Sequence, residues 1–240
     1  MQENTPTLFF EINHLNFVFI VGLYDDSQDL KIIEKIITAK EGMDENKFLN
    51  IELIENIIKK NVKKIEDKLN CVFKDVTIIL DHSFYSCTNI SGFKKLNGSQ
   101  VLKENISYIL NSLKLTVTEN EKDKTILHIF NSKSVLDGKR VENLPIGLFG
   151  DFYSHELTFF LIKNNDLKNI KYLFNKNDLN VKKILIKNFI EGVELVEKDN
   201  NAQTFFKIKI NKDNSNLSFF NESLFRYVGN FNFGYCILFK

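Results

Sequence analysis

The chain has 240 residues, of which 43% are hydrophobic, and its 32 Lys and Arg residues nearly balance its 31 Asp and Glu residues. This content can bury one or two modest cores, and a net charge of +1 gives no overall field that would attract nucleic acid. The three cysteines are widely spaced and form no Cys-x-x-Cys pair, which argues against a disulfide framework or a zinc site and indicates a reducing compartment.

The N-terminal residues 1–7 are polar and contain neither a basic segment nor an apolar core of a secretion signal. The sequence also has no run of about 18 apolar residues, the length that a membrane-spanning helix needs. We therefore expect a cytoplasmic protein.

The first forty residues predict three strands. Two β-rich runs, Leu8–Ile12 and Phe17–Gly22, flank the polar pair Asn13-His14, a pattern that is typical of a hairpin. The run Leu30–Thr38 predicts a third strand, although Glu and Lys interrupt its apolar character.

A helix and a buried strand follow. Within Ile51–Leu69, isoleucine, valine and leucine recur at intervals of three and four residues, which predicts an amphipathic helix with Asn50 as its N-cap. Val76–Leu80 is nearly continuous in apolar residues, as in strands from the interior of a sheet.

The middle of the chain predicts a compact α+β unit in which a strand, a helix and two strands follow one another. The first element is the extended segment Phe84–Leu96, interrupted at Gly92, and the second is the helix Gln100–Leu113. The strand Thr125–Phe130, a turn at Asp137-Gly138 and the last strand His155–Ile162 follow.

The last part of the chain predicts a helix at Asn165–Phe174 and a strand at Lys183–Ile186, with Ile190-Glu191-Gly192 as the exit of that strand. A hairpin follows, with strands Thr204–Ile210 and Leu217–Phe220, and then a further strand at Phe225–Phe231. The chain ends in the apolar run Tyr235–Lys240. Since natural termini rarely leave such a run uncovered, this pattern predicts a truncated chain.

Several short motifs, taken in order and spacing, resemble the FtsA family of bacterial cell-division proteins, which are membrane-tethering relatives of actin. The matching segments are Gly42-Met43-Asp44, Ile51-Glu52, Ile126-Leu127-His128, Asp137-Gly138, the stretch with Pro145, Gly147 and Gly150, and Gly234.

The resemblance implies an α/β fold, with an actin-like, ribonuclease H-like first lobe and an inserted α+β strand-helix-strand-strand (SHS2) domain. It places the first lobe at residues 1–82 and 164–200, the inserted domain at 83–163 and the start of a truncated second lobe at 201–240. In the family, two Asp-x-Gly hairpins hold nucleotide phosphates.

By the same resemblance, the phosphate-loop positions are Glu11, Asn13, His14 and Asp213. The first hairpin has Glu for Asp and Asn for Gly, and the second retains no glycine, so close approach of a pyrophosphate is disfavoured. The sequence thus predicts no ATPase activity, no catalytic or metal-ligating residues and no required cofactor, with ATP and Mg²⁺ implied by family resemblance alone.

Phe149 lies between two glycines in a loop and has little core to join, and aromatic anchors are typical of interfaces. We therefore predict an interface at Pro145, Gly147, Phe149 and Gly150. The resemblance implies as partners the tubulin-like FtsZ, other division proteins and further copies of the chain, at the cytoplasmic face of the inner membrane. The family's amphipathic membrane helix and FtsZ-binding subdomain would lie outside these 240 residues.

Two alternatives remain at this point. One is a non-catalytic partner-binding module built on an actin-like lobe. The other is an actin-like or pilus-assembly ATPase that has kept phosphate binding, against which the missing glycines argue.

Overall fold

The computed structural model describes residues 5–25, 29–141, 143–198 and 203–238. The strands, in chain order, are β1 (Thr7–Ile12), β2 (Asn16–Tyr24), β3 (Leu30–Ala39), β4 (Met43–Asp44), β5 (Lys47–Phe48), β6 (Asp75–Leu80), β7 (Tyr85–Lys95), β8 (Lys124–Leu136), β9 (Lys139–Val141), β10 (Phe152–Lys163), β11 (Asn180–Ile186), β12 (Phe205–Ile210), β13 (Ser215–Asn221) and β14 (Leu224–Phe231). The helices are α1 (Ile51–Leu69), α2 (Lys103–Asn120), α3 (Asn164–Asn175), α4 (Lys187–Lys198) and α5 (Tyr235–Leu238).

The chain forms two compact units. The first comprises the residues up to Phe84 together with Asn164–Glu191, and the second comprises Tyr85–Lys163 together with the residues from Gly192 onward. The predicted second-lobe segment therefore groups with the predicted inserted domain, while the predicted boundary at 200/201 lies outside the described residues. The assignment of residues 83–163 to the SHS2 type stays a prediction.

The described residues of the first unit contain a five-stranded sheet in the order β11-β6-β1-β2-β3. The first three strands form an antiparallel meander, and β6 and β11 run parallel to β1. The predicted hairpin, third strand and two later strands are confirmed. Parallel pairing of β1, β6 and β11 brings their carboxyl ends to one edge of the sheet.

Helix α1 has the predicted bounds and cap. The Asn50 Oδ1 atom accepts a hydrogen bond from the Leu53 amide at 3.0 Å, and Asn70 ends the helix in the left-handed conformation with a φ of 50°. One stripe of the helix is buried: Ile54, Ile58, Val62 and Ile65. Each of these side chains contributes about 1.5–3 kcal/mol by leaving water.

Gly42 shapes the entry to α1. Its φ is +83°, and its carbonyl accepts hydrogen bonds from the amides of Leu49 at 2.9 Å and Asn50 at 3.0 Å. A Cβ atom at this position would lie 2.8 Å from the Asn50 carbonyl oxygen. Both the backbone angle and the close approach therefore require glycine at the first motif of the family resemblance.

In the described part of the second unit, a four-stranded antiparallel sheet has the order β7-β10-β8-β9. Helix α2 packs on one of its faces through Ile109 and Leu113. Gly92 was predicted to interrupt the first of these strands, and that prediction is wrong because β7 continues through it. Instead, a Cβ atom on Gly92 would lie 2.7 Å from the Ile109 Cγ2 atom, so the glycine lets the helix approach the sheet closely.

Helix α2 begins three residues later and ends seven residues later than the predicted span Gln100–Leu113. The β-branched residues beyond Leu113 weaken the helix pattern. In the structure, Thr116 and Thr118 donate side-chain hydrogen bonds to carbonyls four residues earlier, at 3.0 and 2.8 Å, and Val117 is buried in the core.

On the other face of the four-stranded sheet packs β14, an edge strand of the three-stranded antiparallel sheet β12-β13-β14. Phe225 of β14 stacks on Phe160 of β10 with ring centroids 4.9 Å apart. The Asn89 side-chain amide donates to the Arg226 carbonyl at 3.0 Å. Helix α2, the four-stranded sheet and the three-stranded sheet thus form three layers of the second unit.

Helix α4 was not predicted. The segment Ile190-Glu191-Gly192, predicted as the exit of a strand, lies within this helix. The helix follows β11 without an intervening turn, and Gly192 lowers its intrinsic helix propensity. Gly192 is nevertheless required there, because a Cβ atom would lie 1.9 Å from the Phe220 ring.

Candidate functional site

The candidate site in the first unit lies where three parallel strands end. Ile12 of β1 pairs with Leu80 of β6, and Leu80 pairs with Ile186 of β11, so the three strands end in one register row. The residues that follow therefore gather at one edge of the sheet, where open α/β sheets commonly bind ligands. Among these residues are Asn13 and Lys187.

Asn13 closes the first hairpin through its own side chain. Its Oδ1 atom accepts hydrogen bonds from the amides of Leu15 at 3.0 Å and Asn16 at 2.8 Å, and its Nδ2 donates to Glu11 Oε1 at 3.3 Å. This is an Asx turn in place of a glycine turn. A phosphate bound at this turn would have to compete with Asn13 for these two amides.

Glu11 is paired with Lys187, the first residue of α4. The ammonium Nζ donates to Glu11 Oε1, and the two side chains are 20% and 13% exposed. Burial opposes the charge of Lys187, but the hydrogen bond and attraction from Glu11, with the charges of Asp81 and Glu191, outweigh this and raise the pKa of Lys187. A cation such as Mg²⁺ would have to compete with this ammonium for Glu11.

Lys40 lies close to the same edge of the sheet. Its amide donates to the Leu15 carbonyl at 3.0 Å, and its Nζ donates to the Glu45 carbonyl at 2.6 Å. Burial lowers the pKa of Lys40, and the charges of Asp81, Glu45 and Asp44 partly offset that effect. This lysine thus ties the end of β3 to the first hairpin.

Of the predicted phosphate-loop residues, Glu11, Asn13 and His14 lie together in the first unit, and Asp213 belongs to the second. Asp213 is exposed in the turn between β12 and β13, which a hydrogen bond from the Asn211 amide to the Asn214 carbonyl closes at 2.8 Å. The assignment of these two hairpin turns as phosphate loops remains a prediction.

The chain itself packs against this second turn. The Tyr235 amide donates to the Asn211 carbonyl at 3.0 Å, and the Cys236 amide donates to the Lys212 carbonyl at 3.2 Å. A Cβ atom on Gly234 would lie 2.2 Å from the Lys212 carbonyl oxygen, so glycine is required at this approach. The backbone of the second hairpin turn is therefore bound by the start of α5.

The predicted interface loop, between β9 and β10, is held by backbone hydrogen bonds. The Val101 amide donates to the Leu148 carbonyl at 2.8 Å, the Gly147 amide donates to the Val101 carbonyl at 2.8 Å, and the Gly150 amide donates to the Ser99 carbonyl at 3.2 Å. Gly147 has a φ of +88°, a value that favours glycine. The loop is thus held in place by backbone hydrogen bonds to Ser99 and Val101, which precede α2.

The loop directs one aromatic side chain outward. Phe149 is 69% exposed, whereas Pro145 and Gly150 are buried. A Cβ atom on Gly150 would lie 2.6 Å from the Leu136 Cδ1 atom, so the loop lies directly against β8. An exposed aromatic side chain on a backbone with fixed geometry loses little conformational entropy on binding.

Sequence reasoning missed Lys187 and Lys40. The position of Lys187 directly after a predicted interior strand was the available signal, since residues after parallel strands gather at one edge. Its partner could not be found without the strand order, because 176 positions separate Lys187 from Glu11. No three His, Cys, Asp or Glu side chains in the described part of the chain come close enough together to hold a metal ion.

His155 is buried in β10. Its Nδ1 atom lies 2.6 Å from the Tyr153 hydroxyl, and its Nε2 atom has no hydrogen-bond partner among the described residues. Burial lowers the pKa of His155 from its ordinary value of 6.5. The folded state therefore holds this imidazole neutral.

We expect acid to destabilise the protein through His155. The unfolded imidazole binds a proton more readily than the buried one, so stability is complete above about pH 6.5 and falls below it, by at most about 1.4 kcal/mol per pH unit. Urea denaturation of the native chain and of His155→Gln between about pH 7.5 and about pH 5.5 measures this difference. Parallel pH profiles for the two proteins would contradict the assignment.

Three comparisons relate the chain to known proteins. Its structure is similar to the PilM–PilN type IV pilus biogenesis complex, with a TM-score of 0.65 and 10% identity over 96% of this chain and 62% of that one. No family model matches the sequence. The sequence is 24% identical over 189 residues to the cell division protein FtsA of Buchnera aphidicola subsp. Schizaphis graminum, covering 79% of this chain and 45% of that protein. FtsA of subsp. Acyrthosiphon pisum is 25% identical over 191 residues, with the same two coverages.

The strand order and the structural likeness show a mixed α/β fold, which the chain shares with the PilM–PilN complex. In sequence, the chain is similar to FtsA cell division proteins at 24–25% identity. The chain spans about half the length of the curated relatives it matches. In the part of the chain that the structure describes, no helix combines the length and apolar character needed to cross a bilayer.

Proposed function

We propose that this chain acts in bacterial cell division, in assembly of the septum, through contacts with other proteins. The observation that carries the proposal is the sequence similarity to two FtsA proteins over 79% of the chain. The finer proposal is that it helps to link FtsZ polymers to the cytoplasmic face of the inner membrane and to recruit other division proteins. Since the chain spans about half the length of those relatives, we propose membrane attachment for the assembly of division proteins and not for these 240 residues alone.

We further propose that this function requires neither ATP hydrolysis nor bound nucleotide. Two contacts support this: Lys187 neutralises Glu11, and Asn13 occupies two amides of the first hairpin. ATP with Mg²⁺ fits poorly at a turn whose carboxylate and amides already have partners. The pilus-assembly alternative is supported by the structural similarity to the PilM–PilN complex, but at 10% sequence identity this similarity concerns the fold alone.

The loop at Pro145, Gly147, Phe149 and Gly150 is proposed as the surface that binds division partners. Its fixed backbone and the exposed ring of Phe149 support this role, because rigid aromatic anchors supply much of the binding energy at interfaces. A partner with an apolar pocket of aromatic size would bury this ring.

We expect Phe149→Glu to weaken binding of division partners at least about tenfold, since a buried carboxylate without a partner is costly. Two-hybrid assays and purified-protein titrations against FtsZ and later division proteins measure the loss. Phe93→Glu is the matched control, because Phe93 is 61% exposed in the same unit but lies on β7.

Localisation of a fluorescent fusion in dividing cells tests the broader function, and a mid-cell ring is expected. Equal binding by Phe149→Glu and the native chain would reject the loop as the interface. Absence of binding to any division protein, together with a diffuse fusion, would reject the division role itself.

A further inference from the structure

His155 lies beneath helix α2. On β10 it is directly opposite Gly92 of β7, so the two residues share one face of the four-stranded sheet. That face is the one on which α2 packs, because a Cβ atom on Gly92 would lie 2.7 Å from the Ile109 Cγ2 atom. Tyr153, two residues before His155, belongs with Ile109 to the core between the helix and the sheet. His155, which is 2% exposed, therefore has its ring in the layer that α2 covers.

The polar groups of this layer suit a neutral imidazole. His155 Nδ1 lies 2.6 Å from the hydroxyl of Tyr153 on the same strand, and that hydroxyl lies 3.4 Å from the Oγ atom of Ser134 on β8. The Nε2 atom is buried without a hydrogen-bond partner in the described part of the chain. An imidazolium carries an N–H on both nitrogens, and a buried charged donor without an acceptor is costly. Protonation therefore opposes the packing of α2 on this ring.

The neighbouring charges do not relieve that cost. The buried side chains of α2 are all apolar: Ile109, Leu113 and Val117. Lys94 of β7 is on the same face of the sheet as His155, and its ammonium lies 4.5 Å from the centroid of the Tyr108 ring on α2. Glu156 points to the opposite face of β10, where its carboxylate lies 3.6 Å from Arg226. A charged His155 thus shares its face with a second cation, and burial lowers its pKa without an offsetting carboxylate among the described residues.

Helix α2 is the element that can yield. Strand β10 is joined to β7 and β8 by backbone pairing along most of its length, whereas α2 contacts the sheet by side-chain packing. The last turns of the helix contain Thr116, Val117 and Thr118, β-branched residues of low helix propensity. Local opening follows the least stable element, so α2 leaves the sheet at a lower cost in free energy than a strand does.

The start of α2 also holds the loop between β9 and β10. Val101, two residues before the helix, is buried in the same core as Tyr153. Its amide donates to the Leu148 carbonyl and its carbonyl accepts from the Gly147 amide, both at 2.8 Å. Displacement of α2 therefore removes anchors of the loop that carries Phe149.

We propose that His155 is an acid sensor whose protonation opens α2 from the four-stranded sheet and loosens the loop around Phe149, while β7, β10 and β8 stay paired. Because the closed arrangement holds the imidazole neutral, it is fully stable above about pH 6.5 and opens increasingly below that pH. The opening is independent of the division role. Only its consequence, weaker partner binding in acid, rests on the proposed function of the loop.

Hydrogen exchange followed by mass spectrometry tests the opening in the native 240-residue chain without any partner. Between about pH 7.5 and about pH 5.5, the ratio of α2 exchange to β10 exchange is expected to rise about tenfold, and the loop is expected to follow α2. The ratio cancels the intrinsic dependence of exchange on pH. A ratio that stays constant would overturn the proposal, and so would equal acceleration of helix and strand.

Two variants locate the effect. His155→Gln keeps a polar side chain that does not titrate and is expected to abolish the rise in the ratio. His128→Gln is the matched control, because His128 of β8 is directly opposite Phe160 and so lies on the face of the sheet away from α2. It is expected to leave the rise intact. A rise that persists in His155→Gln, or one that is lost in His128→Gln, would assign the acid response to another group.

Discussion

Phe160→Ala is expected to lower the free energy of unfolding by about 3–5 kcal/mol, the largest effect of a single truncation that we anticipate. Phe160 is fully buried. Its ring stacks on Phe225 at 4.9 Å and meets Phe130 and Tyr85 edge-on at 5.3 and 5.9 Å. Removal of the ring leaves a cavity between two layers of the second unit, which the surrounding rigid sheets can fill only in part.

Urea denaturation followed by circular dichroism measures this loss. Phe93→Ala is the control, because the same ring is removed from a site that is 61% exposed, and it is expected to cost less than about 1 kcal/mol. If the two variants lost equal stability, the packing of β14 on the four-stranded sheet would not be as described.

Lys187→Met is expected to lower the free energy of unfolding by about 2–3 kcal/mol. The substitution keeps most of the side-chain volume but leaves the Glu11 carboxylate, which is 13% exposed, without its ammonium partner. Because the pKa of Lys187 is raised in the folded state, this stability is present at neutral pH and is lost only above the ordinary pKa of lysine.

Lys182→Met is a matched control in the same unit. Its ammonium lies 3.7 Å from Asp75 Oδ2, with side chains 66% and 48% exposed, so its loss is expected to cost less than about 1 kcal/mol. The double variant Glu11→Gln with Lys187→Met is expected to recover part of the loss, since no charge then remains buried without a partner. Additive effects of the two single changes would contradict direct pairing.

Where hydrophobic periodicity is strong, the sequence predicted the elements well. Helix α1 and its Asn50 cap, the first hairpin and the strands of the last sheet all follow from local patterns. Helix α4 was missed because it directly follows β11 and contains a glycine. Gly92 was misinterpreted because only the neighbouring helix explains why a glycine lies inside a strand.

Of the residues at the candidate site, the sequence named Glu11, Asn13 and His14, whose phosphate-loop role stays a prediction, but it named neither Lys187 nor the contacts of these side chains. Asn13 was expected to allow a turn, and the structure adds that its side chain occupies the amides of Leu15 and Asn16. The exposure of Phe149 agrees with the interface prediction, which still awaits a binding experiment.

By itself the sequence determined the α/β character, the FtsA resemblance and the absence of glycine from the two hairpin turns that are predicted as phosphate loops, because these properties depend on residue type and local spacing. Only the tertiary structure decided that Lys187 neutralises Glu11 and that β14 packs on the four-stranded sheet. These features join residues distant in sequence. Strand order and register bring such residues together, and no local pattern encodes either.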